Sequence, residues 1–404
     1  MLGVANRRGI SKSNGFPQLL IDPKLYITIA LFAGEAGPAV LKSSGWMYIF
    51  GLVGLLLMLV KIRIDVRKHV SIVLLIYMIV LIRNISVNDE VLYFYELPNL
   101  GTAILILLLD YFFYKDEDIE TIEKYIFIYA ALLALLGTYR FIRNPSERLA
   151  VFGGPNGYYK IALLFEVLCF YRYLCKKRKV YLFGAILGLI LCMATGSKGG
   201  IVSMAVILLL EVVFYIFNAG ERRKYLIKRF LQIILVLVLG CILIRFAVNR
   251  IPGLSAMLAR ANVFLYRDSF NNLTSVNART DLIVLGIRFF KESPIIGKGA
   301  RYTYFYTGGA QPYSHNLFVE FLSENGLIAT IPLVVFFAGI FINTIKYGKR
   351  DARLFSLFLC IAVYLSGSLF SGNILDAKPI FVFGVMFANY IYNKNHCFGR
   401  EIWV

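Results

Sequence analysis

The sequence predicts an all-α polytopic membrane protein with about twelve transmembrane helices, and three observations support this prediction. Of the 404 residues, 59% are hydrophobic, which is more apolar surface than a soluble core of this length can bury. Apolar segments long enough to cross a bilayer recur along nearly the whole chain. Clusters of basic residues separate these segments at intervals that fit an alternating topology.

The apolar segments give the expected positions of the helices. The predicted spans are residues 25–41, 45–61, 70–83, 98–114, 124–139, 157–174, 180–196, 200–218, 230–248, 327–345, 354–371 and 377–393. The first span contains Glu35 with nearby glycines and Pro38, a composition found in broken or re-entrant segments.

Basic clusters set the orientation of these spans. They follow the second, sixth, eighth and tenth spans, so all four fall on the same side of the membrane. The positive-inside rule makes this side cytoplasmic, together with both termini. These clusters and anionic lipid account for the net charge of +19, and we expect no nucleic-acid partner. The clusters comprise Lys61, Arg63, Arg67 and Lys68; Arg172 and Lys176 to Lys179; Arg222, Arg223, Lys224, Lys228 and Arg229; and Lys346, Lys349, Arg350 and Arg353.

This topology divides the chain into three regions. Residues 1–248 hold the first nine spans, residues 249–326 form a large outer loop, and residues 327–404 hold the last three spans and a cytoplasmic tail. A loop of that length is uncommon unless it has a function. Residues 278–293 have helical spacing, so we expect a short helix along the membrane surface. Its apolar positions are Leu282, Leu285, Ile287 and Phe289.

Histidine is scarce in this chain, and one histidine is a candidate base. The sequence contains three, and the predicted topology places only His315 on the outer face, within PYSHNLFVEFLSENGL. Histidine is the side chain most readily poised as a base near neutral pH. An interfacial histidine that binds a loop carbonyl is the alternative interpretation.

Arginines on the outer face are the second signal. Arg140, Arg143 and Arg148 precede the segment FGGPNGYY, and Arg279 opens the predicted surface helix. Guanidinium groups bind phosphate oxygens in bidentate fashion, whereas the positive-inside rule disfavours basic residues in short outer loops. We therefore predict an anion site, although snorkelling at the interface would explain any one of these residues.

Lys198 is the third signal, in the short outer turn of MATGSKGGIVSM. Flanking glycines let a ligand approach closely, and the N-terminus of the eighth span would favour a phosphate. The alternative is a helix-end anchor. Carboxylates inside predicted spans are also candidates, because burying a charge in lipid is costly. They are Glu35, Asp110, Glu166 and Glu211, of which we predict that the last three are structural.

Taken in order, these motifs resemble the O-antigen ligase and Wzy polymerase family. FGGPNGYY is similar to a family segment with a Pro-Asn pair, and GSKGG lies where the family usually has a Ser-Arg-Gly turn. ART followed by KESPIIGKG resembles its arginine-led helix and Pro-x-x-Gly-x-Gly turn. SHNLFVEFLSENGLIA follows its His-Asn signature. The motifs extend over a little under half of the chain. Lys198 departs from the family arginine, which keeps the charge but loses the planar fork.

The resemblance implies that Lys198 and Arg279 bind the pyrophosphate of an undecaprenyl-diphosphate-linked glycan, and that His315 contacts the acceptor hydroxyl. We assign catalytic roles to His315 and Arg279. Fixed cations can stabilise a diphosphate leaving group without a metal, and the six cysteines show no metal spacing, so we expect no metal or cofactor. The candidate substrate-binding residues are Lys198, Arg148, Arg143, Asn156, Asn316 and Glu320.

The predicted function is polymerisation of lipid-linked repeat units into O-antigen or capsular polysaccharide at the outer face of the bacterial inner membrane. The expected partners are undecaprenyl-diphosphate-linked oligosaccharide as donor and acceptor, membrane lipid and a chain-length regulator protein. Ligation of the polysaccharide to lipid A core is the alternative, and the motifs do not separate the two. A transporter or flippase is a further alternative, but it would usually show a repeat that relates two halves of the chain.

Overall fold

The computed structural model describes residues 22–41, 115–144, 147–151, 154–217, 274–311, 313–348, 351–370 and 377–397, with isolated positions at 50, 52–53, 101–102 and 104–106. Every regular element within these residues is a helix, which confirms the all-α prediction for this part of the chain. Predicted spans two, three, four and nine lie outside the described residues, apart from those isolated positions.

Eight of the described helices coincide with predicted spans. They are α1 (Pro23–Leu41), α2 (Asp116–Arg143), α3 (Gly154–Lys176), α4 (Lys179–Ala194), α5 (Lys198–Phe217), α9 (Gly326–Tyr347), α10 (Ala352–Ser368) and α11 (Lys378–Cys397). Three further helices lie in the predicted loop and are α6 (Thr274–Glu292), α7 (Tyr302–Tyr306) and α8 (Leu317–Glu320). A π-helical turn, Phe321–Asn325, joins α8 to α9.

The helices are those of a membrane protein by length and composition. Among the described residues, three segments are long and apolar enough to cross a bilayer: Glu117–Arg143, Lys198–Ile216 and Leu317–Tyr347. Shorter apolar helices occur at Pro23–Phe32, Lys179–Ala194 and Ala352–Ser368. The count of about twelve spans and the separate loop domain stay predictions.

Two local predictions differ from the structure. Helix α1 continues without a break through Glu35 and Pro38, so the first span is not interrupted there. Helix α2 extends to Arg143, which places Arg140 and Arg143 on its last turn and not in a loop. In α6, Leu282 and Phe289 are buried and Ile287 is 41% exposed.

Helix α3 is the centre of the described bundle. All twelve residues from Tyr158 to Cys169 are buried, and α2, α4, α5 and α10 pack around them. Helix α4 approaches most closely at Gly184 and Gly188, a pair spaced by four residues. A Cβ at Gly188 would lie 2.8 Å from the Ala162 carbonyl oxygen. Small residues at this spacing let two membrane helices pack backbone against backbone.

One end of the bundle is held by ion pairs. Arg353 lies 3.3 Å from the carboxylate of Glu120 and 3.7 Å from that of Glu123, and its Nε donates a hydrogen bond to the Tyr171 hydroxyl over 3.1 Å. Two further pairs at helix ends are Lys24–Asp118 and Asp351–Lys394. These contacts join the beginnings of α1, α2 and α10 to the ends of α3 and α11. The predicted topology places these ends together.

Candidate active site

The turn between α4 and α5 is fixed by two residues from outside it. Arg148 donates hydrogen bonds from Nε to the Thr195 carbonyl (3.1 Å) and from Nη2 to the Gly196 carbonyl (3.2 Å). The Ser197 hydroxyl donates to Oδ1 of Asn156 over 2.7 Å. The left-handed φ of 57° at Gly196 suits glycine. The turn therefore presents Lys198 as the first residue of α5.

These contacts give Arg148 and Asn156 a supporting function that the sequence did not predict. Both were expected to bind substrate directly, and the structure shows both holding the turn before Lys198. Since the planar guanidinium of Arg148 reaches two carbonyls at once, lysine could not reproduce its contacts.

The glycines after Lys198 allow close packing of neighbouring protein side chains. The sequence had instead indicated that they leave space for a ligand. A Cβ at Gly200 would lie 2.9 Å from Cγ of Tyr159, and one at Gly199 would lie 3.3 Å from the Tyr159 hydroxyl. A Cβ at Gly199 would also lie 3.4 Å from Cβ of Phe370. The start of α5 is thus packed tightly between α3 and the end of α10.

The His-Asn motif is fixed by Asn316. Its Oδ1 accepts hydrogen bonds from the backbone N–H groups of Phe318 and Val319, each over 3.1 Å, which is an N-cap for α8. Its Nδ2 donates to the Leu369 carbonyl over 3.1 Å. The same side chain therefore caps one helix and ties the loop to another.

His315 is held in a conformation that few residues adopt. Its φ is 58°, in the left-handed region that costs a residue other than glycine about 1–3 kcal/mol and that clusters at functional sites. The ring of Tyr313 lies 4.4 Å from the imidazole, measured between centroids. Nδ1 of His315 is buried and has no hydrogen-bond partner. Nδ1 of His315 therefore does not bind a loop carbonyl in this structure.

Arg279 brings the candidate residues into one electrostatic group. Helix α6 packs closely against α8, because a Cβ at Gly286 would lie 2.4 Å from a methyl carbon of Val319. From this helix the Arg279 guanidinium acts electrostatically on both the Lys198 ammonium and the His315 imidazole. Burial lowers the pKa of His315, and the positive charge of Arg279 lowers this pKa further. Both effects favour the neutral imidazole, which is the form able to accept a proton.

The turn PIIGKG and the segment SENGL form one packed unit. Lys298 N–H donates to the Ser323 carbonyl (2.8 Å) and Gly299 N–H to the Glu324 carbonyl (2.9 Å). A Cβ at Gly297 would lie 2.4 Å from the Glu324 backbone, which explains the glycine there. The π-helical turn is thus braced by the loop after α6. Such π-helical turns are frequent at functional sites.

The other predicted residues have contacts of their own. Glu320 is 5% exposed, so its carboxylate is largely enclosed by protein. Arg143 donates to the Tyr139 hydroxyl over 3.1 Å and Arg140 to the Ala150 carbonyl over 2.8 Å. These two arginines and Arg148 line a pocket of about 610 Å³ beside the turn.

The side chains that commonly bind metals are dispersed in the part of the chain that the structure describes. Within those ranges, no three His, Cys, Asp or Glu side chains are grouped so that they could hold a metal ion. The sequence does contain one Asp-x-Asp spacing, at Asp116 and Asp118. Asp118 is paired with Lys24 at the beginning of α2, the opposite end of that helix from Arg143.

One buried cation was missed in the sequence. Lys160 lies inside predicted span six and is 3% exposed, yet only carboxylates within spans were singled out. The signal was available, because a lysine inside an apolar span is as costly as a carboxylate.

Comparison with known proteins agrees with the motifs. The chain shows no significant similarity to a curated protein. Residues 183–334 match the family model described as O-antigen ligase. This range contains Lys198, Arg279 and His315, whereas Arg143, Arg148 and Asn156 precede it. The match confirms the resemblance that the motifs indicated: residues 183–334 of this membrane protein are similar to the O-antigen ligase family.

Proposed function

We propose that this chain is a glycosyltransferase that polymerises undecaprenyl-diphosphate-linked repeat units at the outer face of the bacterial inner membrane. The observation that supports this most is the convergence of Lys198, Arg279 and His315. They come from three separate segments, and the Arg279 charge acts on both of the others. Two cations beside a neutral base match the needs of transfer from a diphosphate.

The reaction is a single displacement. The acceptor hydroxyl oxygen attacks the anomeric carbon of the donor, and the bond between that carbon and the diphosphate oxygen breaks. The diphosphate leaves with the electron pair, and His315 accepts the hydroxyl proton. Lys198 and Arg279 bind the oxygens on which negative charge develops, and preorganised charges of this kind stabilise the transition state. Direct displacement inverts the anomeric centre.

Ligation to lipid A core is the second candidate, because the matched family model is described as O-antigen ligase. The two reactions use the same donor chemistry and differ in the acceptor. A polymerase transfers the growing chain to another lipid-linked repeat unit, whereas a ligase transfers it to the core. Nothing in the arrangement of Lys198, Arg279 and His315 distinguishes these acceptors, so the acceptor is what the experiment must identify.

Gel display of surface polysaccharide tests the proposal and separates the two acceptors. A strain without this gene should show single repeat units on lipid A core if the chain is a polymerase. Long polymer that stays on undecaprenyl diphosphate would instead identify a ligase. Complementation with wild type should restore the banding and His315→Ala should not, with His69→Ala as the matched control at equal protein level. Unchanged polysaccharide after deletion would contradict both activities.

A further inference from the structure

Lys160 is a buried ammonium for which the described structure provides no counterion. It lies in α3, within the continuous buried run from Tyr158 to Cys169, with 3% of its surface exposed. Within the described ranges, Lys160 takes part in no ion pair or hydrogen bond, and its Nζ is not among the fully enclosed atoms that have no partner, so the ammonium keeps a small exposed surface. An unpaired charge is costly to bury, and in a membrane protein such a residue indicates a functional site.

The surroundings of Lys160 connect it to the candidate active site on two sides. Four residues earlier on the same face of α3, Asn156 holds the turn that presents Lys198. On the facing helix, a Cβ at Gly367 would lie 2.8 Å from Cε of Lys160. Two residues after Gly367, the Leu369 carbonyl accepts the hydrogen bond from Asn316, the neighbour of His315. Lys160 thus lies between the contacts that position Lys198 and those that position His315.

The direction of helix α3 places the ammonium near this group. Helical side chains lean toward the N-terminus of their helix, and α3 begins at Gly154, about 9 Å along the axis from Lys160. Gly367 makes the space that the lysine stem occupies, since any side chain there would collide with Cε. The stem therefore extends along α10 toward the end of the bundle where the candidate active site lies.

We propose that Lys160 binds the diphosphate of the lipid-linked substrate from the membrane side of the Lys198–Arg279 pair. This inference rests on the proposed function. The polyprenyl tail of such a substrate enters the bilayer directly below its diphosphate, so a cation one helical turn into the membrane meets the phosphate nearest the lipid. Lysine suits this position as a compact point charge for phosphate. The diphosphate of the substrate would then be the counterion of the Lys160 ammonium.

A structural alternative makes a different prediction. Helix α10 ends at Ser368, and a cation near a helix C-terminus is stabilised by the helix dipole. If Lys160 only anchors that end, Lys160→Met should lower the thermal stability of the ligand-free protein and leave its affinity for the diphosphate unchanged. If Lys160 binds a ligand, Lys160→Met removes a charge that is unpaired in the ligand-free protein. The thermal stability of the ligand-free protein should then stay equal or rise.

The test measures binding of undecaprenyl diphosphate to the full chain in nanodiscs. We expect Lys160→Met to weaken binding about tenfold or more, without a fall in the ligand-free melting temperature. Lys124→Met, at an exposed position of α2, should bind as wild type does. Gly367→Ala keeps the lysine charge but crowds Cε, so it should also weaken binding. It serves as the second probe if Lys160→Met folds poorly.

The outcomes separate this inference from the proposed function. Unchanged affinity in both Lys160→Met and Gly367→Ala, while Lys198→Met loses binding, would overturn the inference alone. A lower ligand-free melting temperature with unchanged affinity would assign Lys160 a structural role and also overturn it. Failure of the wild-type protein to bind undecaprenyl diphosphate would contradict both the inference and the proposed function.

Discussion

The side-chain amide of Asn316 donates a hydrogen bond to the backbone carbonyl of Leu369 over 3.1 Å, and this contact joins the loop that contains His315 to the end of α10. The side-chain oxygen Oδ1 of Asn316 caps α8 at the same time. The position of His315 relative to the helical bundle therefore depends on one asparagine. An apolar residue in place of Asn316 would remove this contact, whereas a substitution at Leu369 would leave the accepting backbone carbonyl in place.

Asn316→Ser should separate the two functions of this side chain. Serine retains the N-cap but is too short to reach the Leu369 carbonyl. We expect near-normal thermal stability with reduced polysaccharide polymerisation, whereas Asn316→Ala should also lose about 1 kcal/mol of unfolding free energy from the missing cap. Thermal unfolding in detergent and gel display measure the two effects. Full banding from Asn316→Ser would show that the Leu369 contact is dispensable.

Lys198→Met should weaken substrate binding without weakening the fold. The positive charge of Arg279 acts on Lys198, so removal of the ammonium relieves a repulsion in the ligand-free protein. The loss of a charged hydrogen bond to diphosphate should weaken binding about 10- to 100-fold. Lys198→Arg keeps the charge and should retain most of the activity. Comparable binding by Lys198→Met and wild type, measured in nanodiscs, would remove Lys198 from the site.

The pH dependence of kcat/KM should report the pKa of His315. Only the neutral imidazole can accept a proton, so the rate falls as pH falls through the pKa of His315. Because burial and Arg279 lower this pKa, the acid limb should lie below the usual value of about 6.5. Arg279→Gln removes one of the two causes of the lowered pKa of His315, so the acid limb should move to higher pH. The same variant should also have a lower rate. An acid limb that Arg279→Gln leaves in place would argue against His315 as the base.

Helix packing at the centre of the bundle should be sensitive to a single methyl group. In Gly188→Ala, the new Cβ would lie 2.8 Å from the Ala162 carbonyl oxygen, so α4 must move away from α3. We expect a loss of about 1–3 kcal/mol of unfolding free energy from this overpacking. Gly339→Ala is the matched control, because nothing lies within 4 Å of its Cβ position. Equal melting temperatures for the two variants would contradict the close approach of α3 and α4.

Much of the helical framework was predictable from hydropathy, because apolar length alone marks a span. Eight predicted spans coincide with described helices. Helix boundaries were less predictable. Helix α2 continues to Arg143, past the predicted end of the span at residue 139. Hydropathy does not mark such an end, since a helix can extend past the hydrocarbon through polar residues. The break expected near Pro38 was also wrong. Composition alone does not show whether neighbouring helices accommodate a proline within a helix.

The candidate site was predictable as a set of residues but not as an arrangement. The resemblance indicated Lys198, Arg279 and His315, and the structure places Arg279 within electrostatic reach of each of the other two. The contacts of Arg148 with the 195–196 turn span almost fifty positions in sequence, so local patterns contain no information on them. The position of Lys160 inside an apolar span is a sequence signal of the same kind as that of the carboxylates within spans.

The most direct test of the central claim is reconstitution of the purified protein with undecaprenyl-diphosphate-linked repeat units in proteoliposomes, followed by mass analysis of the lipid-linked products. The account predicts that wild type converts single units into longer chains with release of undecaprenyl diphosphate, and that His315→Ala at equal protein level and melting temperature forms no such chains. Chain growth by His315→Ala at the wild-type rate would contradict the assignment of His315 as the base.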